Sequence, residues 1–243
     1  MTEQRTAIVT GAGKRVGEAI ARALLADGWS VVAHVHHECD EVPDGAVKAV
    51  ADLAQGDCAE RIFAATAGFA PVSLLVNNAS RFAWDGFGDF DGAELDAHTV
   101  VNVRAPALLI DRFARAHAGG DALVINLIDA KLAAPNPDYL SYTLSKAGLA
   151  ALTELAARAL AAQGIRVNAI APALMLRSSG QSEENYAAMH ANNPLRRGVA
   201  PGDVIGAIRY LVEAQCVTGQ VLVIDSGQRF LGLERDVQFL EAE

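Results

Sequence analysis

Cysteine is scarce in this chain: Cys39, Cys58 and Cys216 are the only three, and no histidine stands beside them at metal-binding spacing. An odd, scattered set of thiols argues against a disulfide framework and a zinc site and suits a reducing compartment. Long apolar runs are missing too. "ALLADGWSVVAHV" is broken at Asp27 and Gly28, short of the roughly 18 residues that a membrane span needs. The opening "MTEQRTAIVTG" has no basic stretch followed by an apolar one, so a cytoplasmic location is expected rather than secretion. No run of Lys or Arg occurs and the net charge is -9, which disfavours nucleic acid and leaves a small molecule as the expected partner. His34, His36 and His37 cluster, but a strand there offers no adjacent acidic ligand, and no metal is expected.

The chain does have bulk and alternation. It has 243 residues, 51% hydrophobic and 20% charged, enough for one large core. "TAIVTGAG", "SVVAHV", "VKAVADL", "VSLLVNNAS", "ALVINLID", "IRVNAIAP" and "QVLVID" read as strands. Between them "VGEAIARALLADG", "CAERIFAATAGF", "ELDAHTVVNVRAPALLIDRFARAHA", "YTLSKAGLAALTELAARALAAQG" and "GDVIGAIRYLVEA" carry helical spacing. This alternation predicts an α/β fold, a doubly wound parallel sheet of Rossmann type, as a single domain over residues 1–243. Residues 174–198 are the least regular and are expected to form a mobile lid. The tail 231–243 runs past the last strand, either to a neighbouring subunit or into disorder.

Ligands of such sheets bind beyond the carboxyl ends of the strands. After the first strand, Gly11, Gly13 and Gly17 of "TGAGKRVG" stand at the mouth of a helix, where glycine permits close backbone approach to a pyrophosphate. The second strand ends at His36 and His37, with no acid to bind a ribose 2′-OH, while Lys14 and Arg15 project from the turn. That pattern favours a 2′-phosphate, hence NADPH, although Glu38 and Asp40 could serve a ribose if the strand ended later. Further on, Tyr142 and Lys146 of "YTLSK" lie at i and i+4 on one helix face. An ammonium near a phenol favours the phenolate, so Lys146 is expected to lower the tyrosine pKa. Tyr139 has no such partner and reads as a loop aromatic near the site.

Together "TGAGKRVG", "NNAS", Asn102, "YTLSK" and "IRVNAIAP" resemble the short-chain dehydrogenase/reductase family from Thr6 to about Phe230. The resemblance implies that Tyr142 donates a proton, that Lys146 tunes it and holds the nicotinamide ribose, and that Asn102 holds a water linking Lys146 to solvent. It implies cofactor contacts from Val16, Asn78, Ala79 and Pro172, with Asp52 and Leu53 bordering the adenine. Most of the family has serine where this chain has Asp129 and glycine where it has Arg15. These departures resemble the pteridine reductase branch, as do "AHVHH", "NNASRF" and "APALML". In that branch's pattern Phe82 stacks on a pterin, Leu174 and Met175 border it, and Ser80 contacts cofactor phosphate or substrate. Ala173 and "DSG" at Asp225 to Gly227 depart from the usual Pro-Gly and Asp-Gly-Gly. Arg81 has no family role and either engages a substrate tail or is solvated.

A carbonyl needs only a hydrogen-bond donor, whereas a pterin C=N needs a proton delivered to nitrogen. A carboxyl with raised pKa at Asp129 could relay it. The expected function is thus NADPH-dependent reduction of a dihydropterin or dihydrofolate. The alternatives are a carbonyl-reducing relative and a non-catalytic dinucleotide-binding regulator, which the Asn102, Tyr142 and Lys146 set disfavours. The family resemblance further implies that the helices at 95–117 and 142–163, which are rich in alanine and leucine, pair across subunits of a dimer or tetramer.

Overall fold

The computed structural model describes residues 5–177 and 180–240; positions 178–179 of the expected lid and 241–243 of the tail lie outside them. Among the described residues seven strands form one sheet, β1 (Thr6–Val9), β2 (Ser30–Val35), β3 (Val47–Val50), β4 (Val72–Asn77), β5 (Ala122–Leu127), β6 (Ile165–Pro172) and β7 (Val221–Ile224). Every pairing is parallel, in the order β3-β2-β1-β4-β5-β6-β7. The order reverses beside β1, which opens a crevice beyond the ends of β1 and β4. Among the described residues there are seven α-helices, α1 (Arg15–Ala26), α2 (Cys58–Ala64), α3 (Gly92–Thr99), α4 (Ala105–Ala116), α5 (Leu140–Leu160), α6 (Glu183–His190) and α7 (Pro201–Glu213). None of the described helices is long and apolar enough to cross a membrane.

Side chains of a strand alternate between faces, and both faces are buried. Ala7, Val9, Leu74 and Val76 pack against Ile20 and Leu24 of α1 and Ile208 and Leu211 of α7. Ile8, Val32, Leu75 and Val124 pack against Ile62 of α2, Leu109 and Phe113 of α4 and Ala156 of α5. Each large side chain buried this way stabilises the fold by about 1.5–3 kcal/mol. That rigid stack fixes where the strand ends, and the loops on them, can lie.

Two elements differ from the sequence expectation. The long helix over 95–117 is interrupted by a π-turn at Val100–Arg104, where the Ala105 N–H bonds to Val100 O, five residues back. Its cause is local: Pro106 has no N–H to offer Asn102 O, and its ring crowds that carbonyl. The irregular lid also contains α6, whose first turn Ser182 caps by accepting the Asn185 N–H.

Candidate active site

The glycine turn is built by sterics. Gly11 takes φ +65°, and a Cβ on Gly17 would sit 2.1 Å from Gly11 O. A Cβ on Gly13 would meet Glu41 O and Val35 at 2.9 Å. Asn78 locks the turn by donating to Thr10 O at 2.8 Å, and the N–H groups of Asn78 and Ala79 both donate to Thr10 Oγ1 at 3.0 Å. His34 secures the far side: Gly11 N–H donates to its Nδ1 at 3.2 Å, and its Nε2 lies 3.0 Å from Ala51 O. Burial first of all holds this imidazole's pKa below the usual value, which suits the neutral Nε2–H tautomer that both bonds require. Lys14, the N-cap of α1, makes no side-chain cap bond, so the helix N-terminus has no side-chain acceptor from its cap residue.

His36 and His37 lie beyond the end of β2, exposed, with rings stacked at 4.1 Å. His36 Nε2 is 3.6 Å from Asp52 Oδ1, and a hydrogen bond from Ala54 N–H chiefly holds the Asp52 carboxyl below its usual pKa. Leu53 beside it is buried. The strand ends at Val35, and Asp40 is spent accepting the His37 N–H at 2.9 Å.

Catalytic candidates meet where β5 ends and α5 begins. Tyr142 hydroxyl donates to Asp129 Oδ2 at 2.8 Å, and Asp129 Oδ1 accepts the Lys131 N–H at 2.8 Å. Burial raises the Asp129 pKa against the pull of Lys131 N–H, Tyr142 and Lys146. Lys146 Nζ donates to Leu127 O at 2.8 Å and stands 5.6 Å from the Tyr142 ring centroid. The expected lowering of the tyrosine pKa is corrected here. Burial, then the charge and hydrogen bond of Asp129, push Tyr142 well above its ordinary value, while burial brings Lys146 down to about 8. With a carboxyl at the hydroxyl and the ammonium turned to a carbonyl, Tyr142 is held as a neutral phenol.

Asn102 reaches the site through its neighbours. Its Oδ1 accepts from Arg81 N–H at 2.7 Å and Ser80 Oγ at 3.2 Å, and its Nδ2 donates to Arg81 O and to Ser145 Oγ, beside Lys146. Arg81 is exposed, and its guanidinium grips Glu94 with two bonds of 2.7 Å.

A cavity of about 560 Å³ joins these parts. Lys14, Arg15, Val16, Ser80, Phe82, Asp129, Tyr142, Leu174 and Met175 all line it, with Ala173. Gly11, Gly13, Gly17, Asn78, Ala79, Asn102, Lys146 and Pro172 are not among its lining residues, and neither are His36, His37, Asp52 and Leu53, which follow the ends of β2 and β3. Phe82, 47% exposed, stacks on Tyr139 at 4.4 Å and meets Tyr142 edge-on at 4.7 Å.

Comparison with known proteins agrees with this geometry. A family model described as enoyl-(acyl carrier protein) reductase matches residues 11–229. Pteridine reductase 1 of Leishmania tarentolae is 30% identical, covering 91% of this chain and 95% of its own length. The chain belongs to the short-chain dehydrogenase/reductase family. The 3β-hydroxysteroid dehydrogenase 1 of Eggerthella lenta is 32% identical over 92% of this chain and 93% of its own. Among solved structures, the FolM alternative dihydrofolate reductase 1 of Brucella suis in complex with NADP superposes with a TM-score of 0.88 at 35% identity, covering 95% of this chain and 97% of that one. This short-chain reductase therefore resembles the pteridine reductase branch in whole-chain similarity as well as in Arg15 and Asp129.

Several residues of the site escaped the sequence reading. Tyr139 did not: read as a loop aromatic near the site, it is buried, lines the cavity and donates its hydroxyl to Gln238. The described part of the tail, residues 231–240, was expected at another subunit or in disorder but packs on its own chain, and Leu233, Asp236 and Val237 line the cavity. Asp85 caps α5 from the loop after β4, its Oδ1 accepting the Ser141 N–H at 2.9 Å. The π-turn at Asn102 did leave a usable signal, since Pro106 stands four residues on.

Proposed function

We propose that this protein is an NADPH-dependent reductase of the C=N bond of a dihydropterin or dihydrofolate. The carrying observation is the contact of Tyr142 hydroxyl with Asp129 at 2.8 Å on the cavity wall. A carbonyl-reducing site needs no second titratable acid there, whereas protonation of an imine nitrogen does.

The residues present fit the cofactor. The N-terminus of α1 faces the cavity with Lys14, Arg15 and Val16, and the tight glycine turn allows a pyrophosphate close to the backbone. Lys14 and Arg15 supply positive charge for a 2′-phosphate, with His36 and His37 following β2 in place of an acidic residue. The Brucella suis relative in complex with NADP supports the same reading. When bound, NADPH supplies a hydride to the carbon of the C=N bond. Tyr142 and Asp129 hold the proton that goes to nitrogen, both pKa values being raised by burial. Lys146 would hold the nicotinamide ribose, and Asn102, whose carbonyl Pro106 has no N–H to meet, would hold the water that restores the proton. Phe82, Leu174 and Met175 border the substrate ring.

Purified protein is expected to oxidise NADPH with 7,8-dihydropterins or dihydrofolate, and Asp129→Ser to lose most of that activity. The similarity to the 3β-hydroxysteroid dehydrogenase favours carbonyl reduction as the second reading. Under it, Asp129→Ser would keep or gain turnover of ketones, and dihydropterins would give none.

A further inference from the structure

The cavity that holds Asp129 and Tyr142 receives a second carboxylate, Asp236, from the end of the same chain. The segment that carries it is tied down along its length. Arg235 makes two bonds to Asp138 at 2.8 and 2.9 Å, and the Asp236 N–H adds a third at 2.8 Å. Tyr139 donates to Gln238 and stacks on Phe239 at 6.1 Å. From α6, Asn185 Nδ2 donates to Leu240 O at 2.6 Å. Asp138 and Tyr139 lie four and three residues before Tyr142, so the tail is fastened to the loop that delivers the catalytic tyrosine. We propose that Asp236 is a positioning residue of this active site, whose negative charge favours the proton-carrying form of the Asp129–Tyr142 pair.

Of the cations around Asp236, one, Lys131, pairs with it directly, and two are engaged elsewhere. Arg235 is committed to Asp138, and Arg229, also on the cavity wall, is committed to Asp225 at 3.0 Å. Lys131 Nζ pairs directly with Asp236 Oδ2 at 3.3 Å while donating to Asp138 O at 2.5 Å, so it offsets part of the Asp236 charge. Tyr139, pushed up to about 12 mainly by burial, stays a neutral phenol. Lys146 works in the opposite sense on Asp129. Burial is the largest cause of the raised pKa of both Asp129 and Tyr142, and the Asp236 charge adds to each in the same direction. A negative neighbour makes a proton harder to lose, so the pair keeps its proton to higher pH while Asp236 is ionised.

The inference rests on Asp129 and Tyr142 as proton carriers and holds for any substrate that takes its proton from them. Its test is the pH profile of kcat for full-length wild type, Asp236→Asn, Asp236→Ser and Asp236→Glu, with NADPH affinity measured by fluorescence titration as the check on folding. Both neutral variants are expected to move the alkaline limb to lower pH by roughly half a unit or more, with NADPH affinity unchanged. Asp236→Glu is expected to restore the wild-type limb. A limb that stays in place in either neutral variant that binds NADPH overturns the proposal, even if kcat or KM falls uniformly. If wild type reduces no dihydropterin, the proposed substrate fails, and the same profiles read on a ketone still decide the role of Asp236.

Discussion

Arg15 and Ser226 occupy two positions where the family resemblance expects glycine, and both adopt the left-handed backbone that glycine takes easily, at φ 55° and 51°. The conformation has been kept although the residue changed. For a residue with a Cβ this costs about 1–2 kcal/mol, so Arg15 holds its place against its own backbone, which points to its side chain. Arg15 lines the cavity and reaches Arg177 O at 3.3 Å. Replacement by glycine relieves the strain but returns roughly 0.5–1 kcal/mol to the entropy of the unfolded chain. Arg15→Gly is accordingly expected to be more stable by up to about 1 kcal/mol in urea denaturation, while its preference for NADPH over NADH falls about tenfold, the loss of one charged contact of ~1.4 kcal/mol. A variant that is less stable, or that keeps its cofactor preference, would contradict this account of the arginine.

At the scale of elements, the start of α5 carries Tyr142 and Lys146 of the proposed chemistry, and it is held from outside the helix. Tyr139, its N-cap, is left-handed at φ 56° and offers no side-chain cap. Asp85 replaces that cap from 56 residues away, accepting the Ser141 N–H and the Ser141 hydroxyl, while its backbone oxygen accepts the Leu140 N–H. A buried N–H and hydroxyl left without an acceptor cost about 1–3 kcal/mol. Asp85→Ala is therefore expected to lose about 2 kcal/mol in chemical denaturation and to reduce kcat more than NADPH affinity, because Tyr142 is the next residue. Asp85→Asn, which keeps an acceptor, should lose less than half of that; equal losses would show that the charge, rather than the cap, matters. The strands and the helices on them were legible because burial on both faces writes continuous apolar runs and helical spacing into the sequence. The glycine turn and Tyr142 with Lys146 were legible because their spacing is local. Helix α6 was missed although Ser182 and the acidic Glu183 and Glu184 signal a helix start, since its polar body shows no apolar stripe. Asp85 on Ser141, and Arg235 on Asp138, join residues far apart in the chain, and such pairings leave no periodic trace.

For the whole molecule, the surface of α5 raises the question of association. Leu144 and Leu155 are 50% and 65% exposed, and Ala147 and Ala151 between them are exposed on the same stripe. Small residues at that spacing let a second helix approach closely, and a two-fold axis would set α5 against its own copy. The tail is a poor candidate for the same task, since its polar groups from Arg235 to Leu240 are engaged by Asp138, Lys131, Tyr139 and Asn185 of their own chain. Light scattering is thus expected to give a dimer or tetramer for wild type at micromolar concentration. Leu155→Glu should lower the mass, because an uncompensated charge facing its two-fold mate is desolvated on association. A chain ending at Phe230 should keep the wild-type mass while its pH profile changes, since the cavity would lose Asp236. Dissociation by the truncation and none by Leu155→Glu would reverse the assignment and make the tail, rather than α5, the contact between subunits.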